Sequence, residues 1–195
     1  MLGKDYRSFD LHLICGDMDS IRPEVLDAFP DARIVRDDDQ YSTDLTKTLR
    51  LLGCSHESAF RNAASKHESI DVAIFGGLDG RADQALSQLH QLYASSKAKP
   101  GGIGDLYLVT ASSVIMLLEK GLNRIRTPVA SGCFTEMAGI VPLARPATLT
   151  TRGFEWNLDN EEMEFGQFIS TSNHIIDGEV EVETTEPVIF TLELG

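Results

Sequence analysis

The sequence predicts an α/β part followed by an all-β part. A mostly parallel sheet flanked by helices is expected over residues 1–117, then a smaller antiparallel β-sandwich or barrel-like domain over residues 118–195. Three observations carry this expectation. Strand-like apolar runs alternate with helical stripes as far as Tyr93. The helical period then disappears. From Cys133 onward short strands alternate with turns, and two of them, Ile169-Ser170-Thr171-Ser172 and Val180-Glu181-Val182-Glu183, have one polar and one apolar face.

Phe9 to Cys15 is nearly continuous apolar sequence, the pattern of a strand buried on both faces, and it ends in Gly16-Asp17. Ser20 is placed to cap a helix with Pro23 and Glu24 in its first turn and Val25, Leu26 and Phe29 on its buried side. Arg33 to Arg36 reads as a second strand, followed by the acidic run Asp37-Asp38-Asp39. Ser42 or Thr43 can cap the next helix, with Leu45, Leu49 and Leu52 as its stripe and Gly53 as its stop. Asp71 to Phe75 is a third strand, closed by Gly76-Gly77, and a helix runs from about Arg81 to Tyr93 through Leu86 and Leu89. Repeated strand, turn and helix predict right-handed crossovers. Ser95 to Asp105, with its glycines, lysines and Pro100, reads as a loop, and Leu106–Thr110, Val114–Leu118 and Leu122–Arg126 as strands.

Composition narrows the function classes. Hydrophobic residues make up 42% and charged residues 24%, values typical of chains that fold. No apolar run approaches the roughly 18 residues of a membrane span, and residues 1–10 lack a signal pattern, so a cytoplasmic protein is expected. With 17 Lys+Arg against 30 Asp+Glu the net charge is −13, and no basic cluster offsets it, which argues against nucleic acid as a partner. Cys15, Cys54 and Cys133 are odd in number and contain no Cys-x-x-Cys, so neither a disulfide framework nor a structural zinc site is expected.

Three segments carry chemistry. Gly16-Asp17-Met18-Asp19-Ser20 follows a strand, where ligands bind in open α/β sheets, and two carboxylates in one turn can converge on a hard cation; alternatively they only shape the turn. In Gln40-Tyr41-Ser42-Thr43-Asp44-Leu45-Thr46-Lys47, Asp44 and Lys47 fall on one helix face, away from the leucine stripe. They offer a carboxylate for a metal and an ammonium for a phosphate, or else an exposed ion pair. Gly76-Gly77-Leu78-Asp79-Gly80-Arg81-Ala82-Asp83-Gln84 permits close backbone approach to a phosphate and adds a guanidinium fork, or is an ordinary turn. All three follow strands expected in one sheet, so they should cluster at its carboxyl edge, with the groups that a magnesium–nucleotide site requires.

In this order the three segments resemble thiamine pyrophosphokinase of the eukaryotic type. Gly139-Ile140-Val141-Pro142-Leu143, Thr150-Thr151-Arg152-Gly153-Phe154-Glu155-Trp156-Asn157-Leu158, Phe165-Gly166 and Ser170-Thr171-Ser172-Asn173 are similar to that family's β-rich carboxyl domain. The resemblance implies an ATP-binding catalytic domain over 1–117 and a thiamine-binding domain over 118–195. It implies transfer of the pyrophosphoryl group of ATP to the thiamine hydroxyl, giving thiamine diphosphate and AMP. Carried over by motif, Asp17, Asp19 and Asp44 hold Mg²⁺, and Lys47 contacts the phosphates. Gln40, Thr43, Arg81 and Asp83 complete the nucleotide and reaction site. The resemblance further implies that Trp156, Ser170, Ser172 and Asn173 bind thiamine across a homodimer interface. From the residues alone Trp156 reads first as a core aromatic of the β domain; an indole face does attract a cationic ring, and alternating Ser170 and Ser172 would share one strand face. Members of that family begin with a further strand–helix region carrying an Ala-Asp-Gly-Gly-Ala-type loop, which has no counterpart here. The expectation is an amino-terminally short enzyme, the alternatives being a non-catalytic thiamine- or nucleotide-binding dimer and a pyrophosphokinase for another alcohol such as a pterin.

Overall fold

The computed structural model describes residues 11–54, 69–76, 78, 80–98 and 103–195. The chain divides into two compact units, Met1–Glu68 with Pro100–Ile103 and Ser69–Lys99 with Gly104–Gly195.

In the first unit, β1 (Leu13–Gly16) pairs in parallel with β2 (Arg33–Arg36), in register from Leu13 opposite Arg33 to Gly16 opposite Arg36. The expected start of β1 at Phe9 lies outside the described residues. Between the strands runs α1 (Pro23–Ala28), which begins on Pro23, whose fixed φ suits a first helical position. Ser20 does not cap it: the cap position is Arg22, on extended backbone and with no side-chain bond. The Thr43 expectation holds for α2 (Asp44–Cys54), where Thr43 Oγ1 accepts the Thr46 N–H at 3.2 Å and so satisfies one free donor of the first turn. Leu49 is buried, Leu45 and Leu52 are half-buried, and the helix passes through Gly53 rather than stopping there.

The second unit is built on two sheets. Six strands lie in the order β10-β7-β12-β5-β4-β3, namely β10 (Ser170–His174), β7 (Phe134–Val141), β12 (Val188–Leu194), β5 (Ser113–Leu118), β4 (Ile103–Val109) and β3 (Ile70–Phe75). Four strands form the other sheet in the order β6-β11-β8-β9, namely β6 (Gly121–Arg126), β11 (Glu179–Thr184), β8 (Ala147–Arg152) and β9 (Glu161–Met163). The larger sheet is mixed, which corrects the mostly parallel expectation. Asp71 meets Gly104 and Asp105 at one end and the Gly76 N–H reaches Val109 O at the other, so β3 runs parallel to β4, while the pairings from β4 to β10 are antiparallel. Among the described residues β1 and β2 pair with each other and β3 belongs to the six-stranded sheet. Among those residues the three chemical segments therefore follow strands of two sheets rather than of one.

Strand periodicity explains the packing. Val188, Phe190 and Leu192 of β12 and Val180 and Val182 of β11 turn into one cluster with Leu118, Ile140, Leu149, Phe154, Met163 and Ile175, which joins the two sheets as a sandwich. Phe154 meets Phe190 edge to face, with centroids 6.4 Å apart. Each such buried side chain contributes roughly 1.5–3 kcal/mol. The glutamates of β11 face outward, where Glu181 accepts from Arg124 at 2.9 Å. The helix α3 (Ala82–Ala98) is longer than expected and takes in residues 95–98 of the anticipated loop, while 103–105 are already strand; 99–102 lie outside the described residues.

Candidate active site

In the first unit the site grows from the carboxyl ends of β1 and β2 and the start of α2. Past Gly16 the chain turns through Met18, whose φ of 69° puts a residue with a side chain in the left-handed region. The turn is closed by the Asp19 N–H donating to Asp17 Oδ1 at 3.1 Å. That bond, with help from Lys47 and Gln40, holds the Asp17 carboxyl below the usual carboxylate range. Asp19 goes the other way: the adjacent Asp17 carboxyl, its charge and that of Asp44 raise the pKa of Asp19. Two carboxyls that shift each other in opposite senses share one space.

Asp44 enters the same space from α2. A Cβ built on Gly16 would lie 2.8 Å from Asp44 Cγ, so glycine there leaves room for the carboxylate. Asp44 Oδ1 accepts from Lys47 Nζ at 3.2 Å. Lys47 is only 3% exposed. Its burial pulls the ammonium pKa down, but the bond to Asp44 and the charges of Asp44, Asp17 and Asp37 outweigh that and leave it above the usual lysine value. Lys47 is therefore a buried cation ringed by carboxylates, which corrects the alternative of an exposed pair.

Asp37 was not singled out in the sequence. Its N–H donates to Gly16 O at 2.9 Å, which ties the end of β2 to the end of β1, and its charge acts on Lys47. The signal was available, since Asp37 follows β2 as Asp17 follows β1. The remaining acidic residues shape the loop: Asp37 Oδ1 accepts from the Asp39 N–H at 3.0 Å, and Asp39 Oδ1 from the Tyr41 N–H at 2.9 Å. Gln40 is exposed, with its amide 3.4 Å from Asp38 O. The Thr43 hydroxyl is taken up by the helix cap.

These oxygen donors suit a hard divalent cation. Among the described residues no three carboxylate, imidazole or thiol groups are gathered closely enough to hold an ion by themselves. Mg²⁺ held by one or two carboxylates, with its other positions filled by phosphate and water oxygens, fits the Asp17–Asp19 turn.

In the second unit the glycine segment follows β3. Gly76 and Gly80 have φ of 104° and 88°, conformations that favour glycine, while Gly77 and Asp79 lie outside the described residues. Arg81 is engaged with Asp83, Nε to Oδ1 at 3.1 Å and Nη2 to Oδ2 at 2.6 Å, with side chains 75% and 61% exposed. This pair raises the Arg81 pKa and lowers that of Asp83.

The residues expected to bind thiamine surround the turn after β8. Trp156 is 54% exposed, so it is no core aromatic; Phe154 takes that part at 1%. Asn173 is buried and clamps the Trp156 backbone, its Oδ1 accepting the Trp156 N–H at 3.2 Å and its Nδ2 donating to Trp156 O at 2.9 Å. Ser170 and Ser172 do not share a strand face: the β10–β7 register shifts between Ser170 and Asn173, Ser172 has φ 55°, and Ser170 is buried while Ser172 is exposed. Glu155 and His174, which flank this group and were missed in the sequence, are joined at 2.6 Å.

Residues 3–100 match the family model described as "Thiamin pyrophosphokinase, catalytic domain", and residues 123–189 match "Thiamin pyrophosphokinase, vitamin B1 binding domain". Thiamine pyrophosphokinase 1 of rice is 32% identical over 187 residues, covering 93% of this chain and 66% of the relative. The Caenorhabditis elegans thiamin pyrophosphokinase 1 is 28% identical over 184 residues, covering 94% and 70%. In fold, the chain is similar to the crystal structure of yeast thiamin pyrophosphokinase, with a TM-score of 0.81 at 23% identity, over all of this chain and 74% of that one. The chain thus spans about two thirds of the length of the curated relatives, 66% and 70% for those two.

Proposed function

The chain belongs to the thiamine pyrophosphokinase family, and on that premise we propose that it transfers the pyrophosphoryl group of ATP to the hydroxyl of thiamine, releasing AMP. The observation that carries this reading is Lys47, a buried ammonium kept charged by Asp44, Asp17 and Asp37 at the mouth of two parallel strands. Such a lysine has no part in an apolar core. It is a fixed point charge for a polyphosphate, and the carboxylates around it are the hard ligands of the accompanying cation.

In this reading Asp17 and Asp19, with Asp44 beside them, hold Mg²⁺, which supplies charge neutralisation for the phosphates. Lys47 and Arg81 contact phosphate oxygens, and Gln40 and Thr43 border the nucleotide. Arg81 exchanges Asp83 for phosphate, an exchange favoured by the exposure of the pair. The thiamine hydroxyl oxygen bonds to the β-phosphorus as the bond from that phosphorus to the α,β-bridging oxygen breaks. AMP leaves with the electron pair and the hydroxyl proton passes to water. Positioning and charge stabilisation do the catalytic work, without a strong base.

Thiamine lies against Trp156, with Ser170, Ser172 and Asn173 around it. The exposed indole face and the general acidity of the chain both favour a cationic ring. The reading includes a homodimer in which this pocket meets the partner's nucleotide site, and a cytoplasmic location. The free thiols of Cys15 and Cys133 suit a reducing compartment. Among the described residues no helix is long and apolar enough to cross a membrane.

Incubation of the purified chain with ATP, Mg²⁺ and thiamine should yield AMP and thiamine diphosphate in equal amounts. No AMP above a protein-free control, from protein shown to be folded by circular dichroism, overturns the reading.

A further inference from the structure

The turn around Trp156 contains a set of contacts that none of the assigned roles uses. His174 Nδ1 lies 2.6 Å from Glu155 Oε2. A carboxylate accepts, so Nδ1 carries the proton and the imidazole plane is fixed. The same imidazole packs on the Trp156 indole, with centroids 5.1 Å apart and planes at 44°. Asn173 bonds the Trp156 backbone in both directions and also reaches the His174 N–H with Oδ1 at 2.9 Å. The backbone of the tryptophan is thus held by Asn173, whereas its ring is braced by His174, which is in turn held by Glu155. A half-exposed indole on a turn would otherwise be free to change rotamer.

We propose that Glu155 and His174 are positioning residues that brace Trp156 as a fixed wall for a cationic aromatic ring, with the Glu155 carboxylate also adding negative charge beside that wall. This rests on the reading of Trp156 as the thiamine contact. Bracing matters because a stacking surface binds well only when its orientation is set before the ligand arrives. Glu155 acts on the ligand in two separable ways: through His174, which needs only a hydrogen-bond acceptor, and through its charge.

Trp156 is the only tryptophan of the chain, so its fluorescence reports this turn directly. The test measures tryptophan anisotropy and emission of the free protein, and thiamine affinity by calorimetry, for wild type, Glu155→Ala, Glu155→Gln, His174→Ala and His174→Phe. Glu155→Ala and His174→Ala are expected to lower the indole anisotropy, red-shift its emission and weaken thiamine about tenfold, the effect of losing a ring-positioning contact. Glu155→Gln keeps the acceptor and should keep the indole signal while weakening thiamine only a few-fold. His174→Phe should restore the anisotropy in part. An unchanged indole signal in both alanine variants overturns the proposal, and so does thiamine binding equal to wild type in both. Should wild type bind no thiamine, the thiamine assignment falls, and the indole measurement still decides the bracing role in either direction.

Discussion

Two ion pairs form at two helix starts, each between an acidic and a basic residue at most three positions apart. In α2, Lys47 reaches back to Asp44, and the lysine side chain is 2% exposed. At the start of α3, Arg81 holds Asp83 in a two-point grip, with both partners open to water. The difference lies in the surroundings rather than the pair. Lys47 sits under the ends of β1 and β2, where Gly16 leaves space for Asp44 and where Asp17 and Asp37 add their charge. It cannot leave without stranding carboxylates. Among the described residues Arg81 has one ion-pair partner, the rest of its surroundings being solvent, and such exposed pairs exchange readily because water repays most of their energy. A buried pair fixes geometry; an exposed pair is a reserve that a better anion can draw away.

The largest test of this contrast is Lys47→Met, which keeps much of the side-chain volume but removes the charge. Turnover is expected to fall by about 10²–10³-fold, the scale of removing one preorganised charge contact, with AMP release as the readout and circular dichroism as the control for folding. Gly16→Ala follows. Its new Cβ would sit 2.8 Å from the Asp44 carboxyl carbon, and Asp44, half-exposed, must swing away from Lys47. A fall of up to about a hundredfold in AMP release is expected, since small displacements of positioning groups carry such costs, together with a lower melting temperature, because the Gly16 φ of 159° is one that a side chain rarely adopts. Arg81→Lys should act more mildly, raising KM for ATP about tenfold by loss of the two-point grip on phosphate, measured by initial rates.

The smallest effect concerns pH and metal. Lys47, with its folded-state pKa above the unfolded value, stabilises the fold fully below the ordinary lysine range and loses that contribution as the pH rises through its folded value. Asp17 is depressed; its contribution is present above the ordinary carboxylate range and is lost as the pH falls through its folded value. Asp19 is raised, so its contribution exists only at acid pH and disappears on the way to neutrality, where it repels Asp17. Asp19→Asn should therefore slightly raise the melting temperature at neutral pH without divalent cation, and the difference should close on adding Mg²⁺, as followed by calorimetry.

Much of the site was legible because local chemistry controls it. The Thr43 cap, the turn after β1 and the spacing of Asp44 and Lys47 are set by neighbours within a few residues, and sequence carries that information. The burial of Lys47 was not legible, because it lies off the leucine stripe of α2 and the charges of Asp17 and Asp37 that act on it come from outside its own helix. The mixed sheet was hidden for a different reason: Ser113–Leu118 pairs with Val188–Leu194, and nothing near either segment announces the other. At Ser172 a register shift interrupts the alternation that seemed to put two serines on one face, and a single displaced residue leaves no periodic trace.

The position of β12 ties the two halves of the six-stranded sheet together. This strand lies in the middle of the six-stranded sheet, with β5 on one side and β7 on the other. The strands preceding it in the chain therefore have two open edges and no shared partner until Val188–Leu194 has been made and inserted. A nascent or proteolysed chain lacking those residues would present the edges of β5 and β7 unpaired to its neighbours, the condition under which sheets join between molecules.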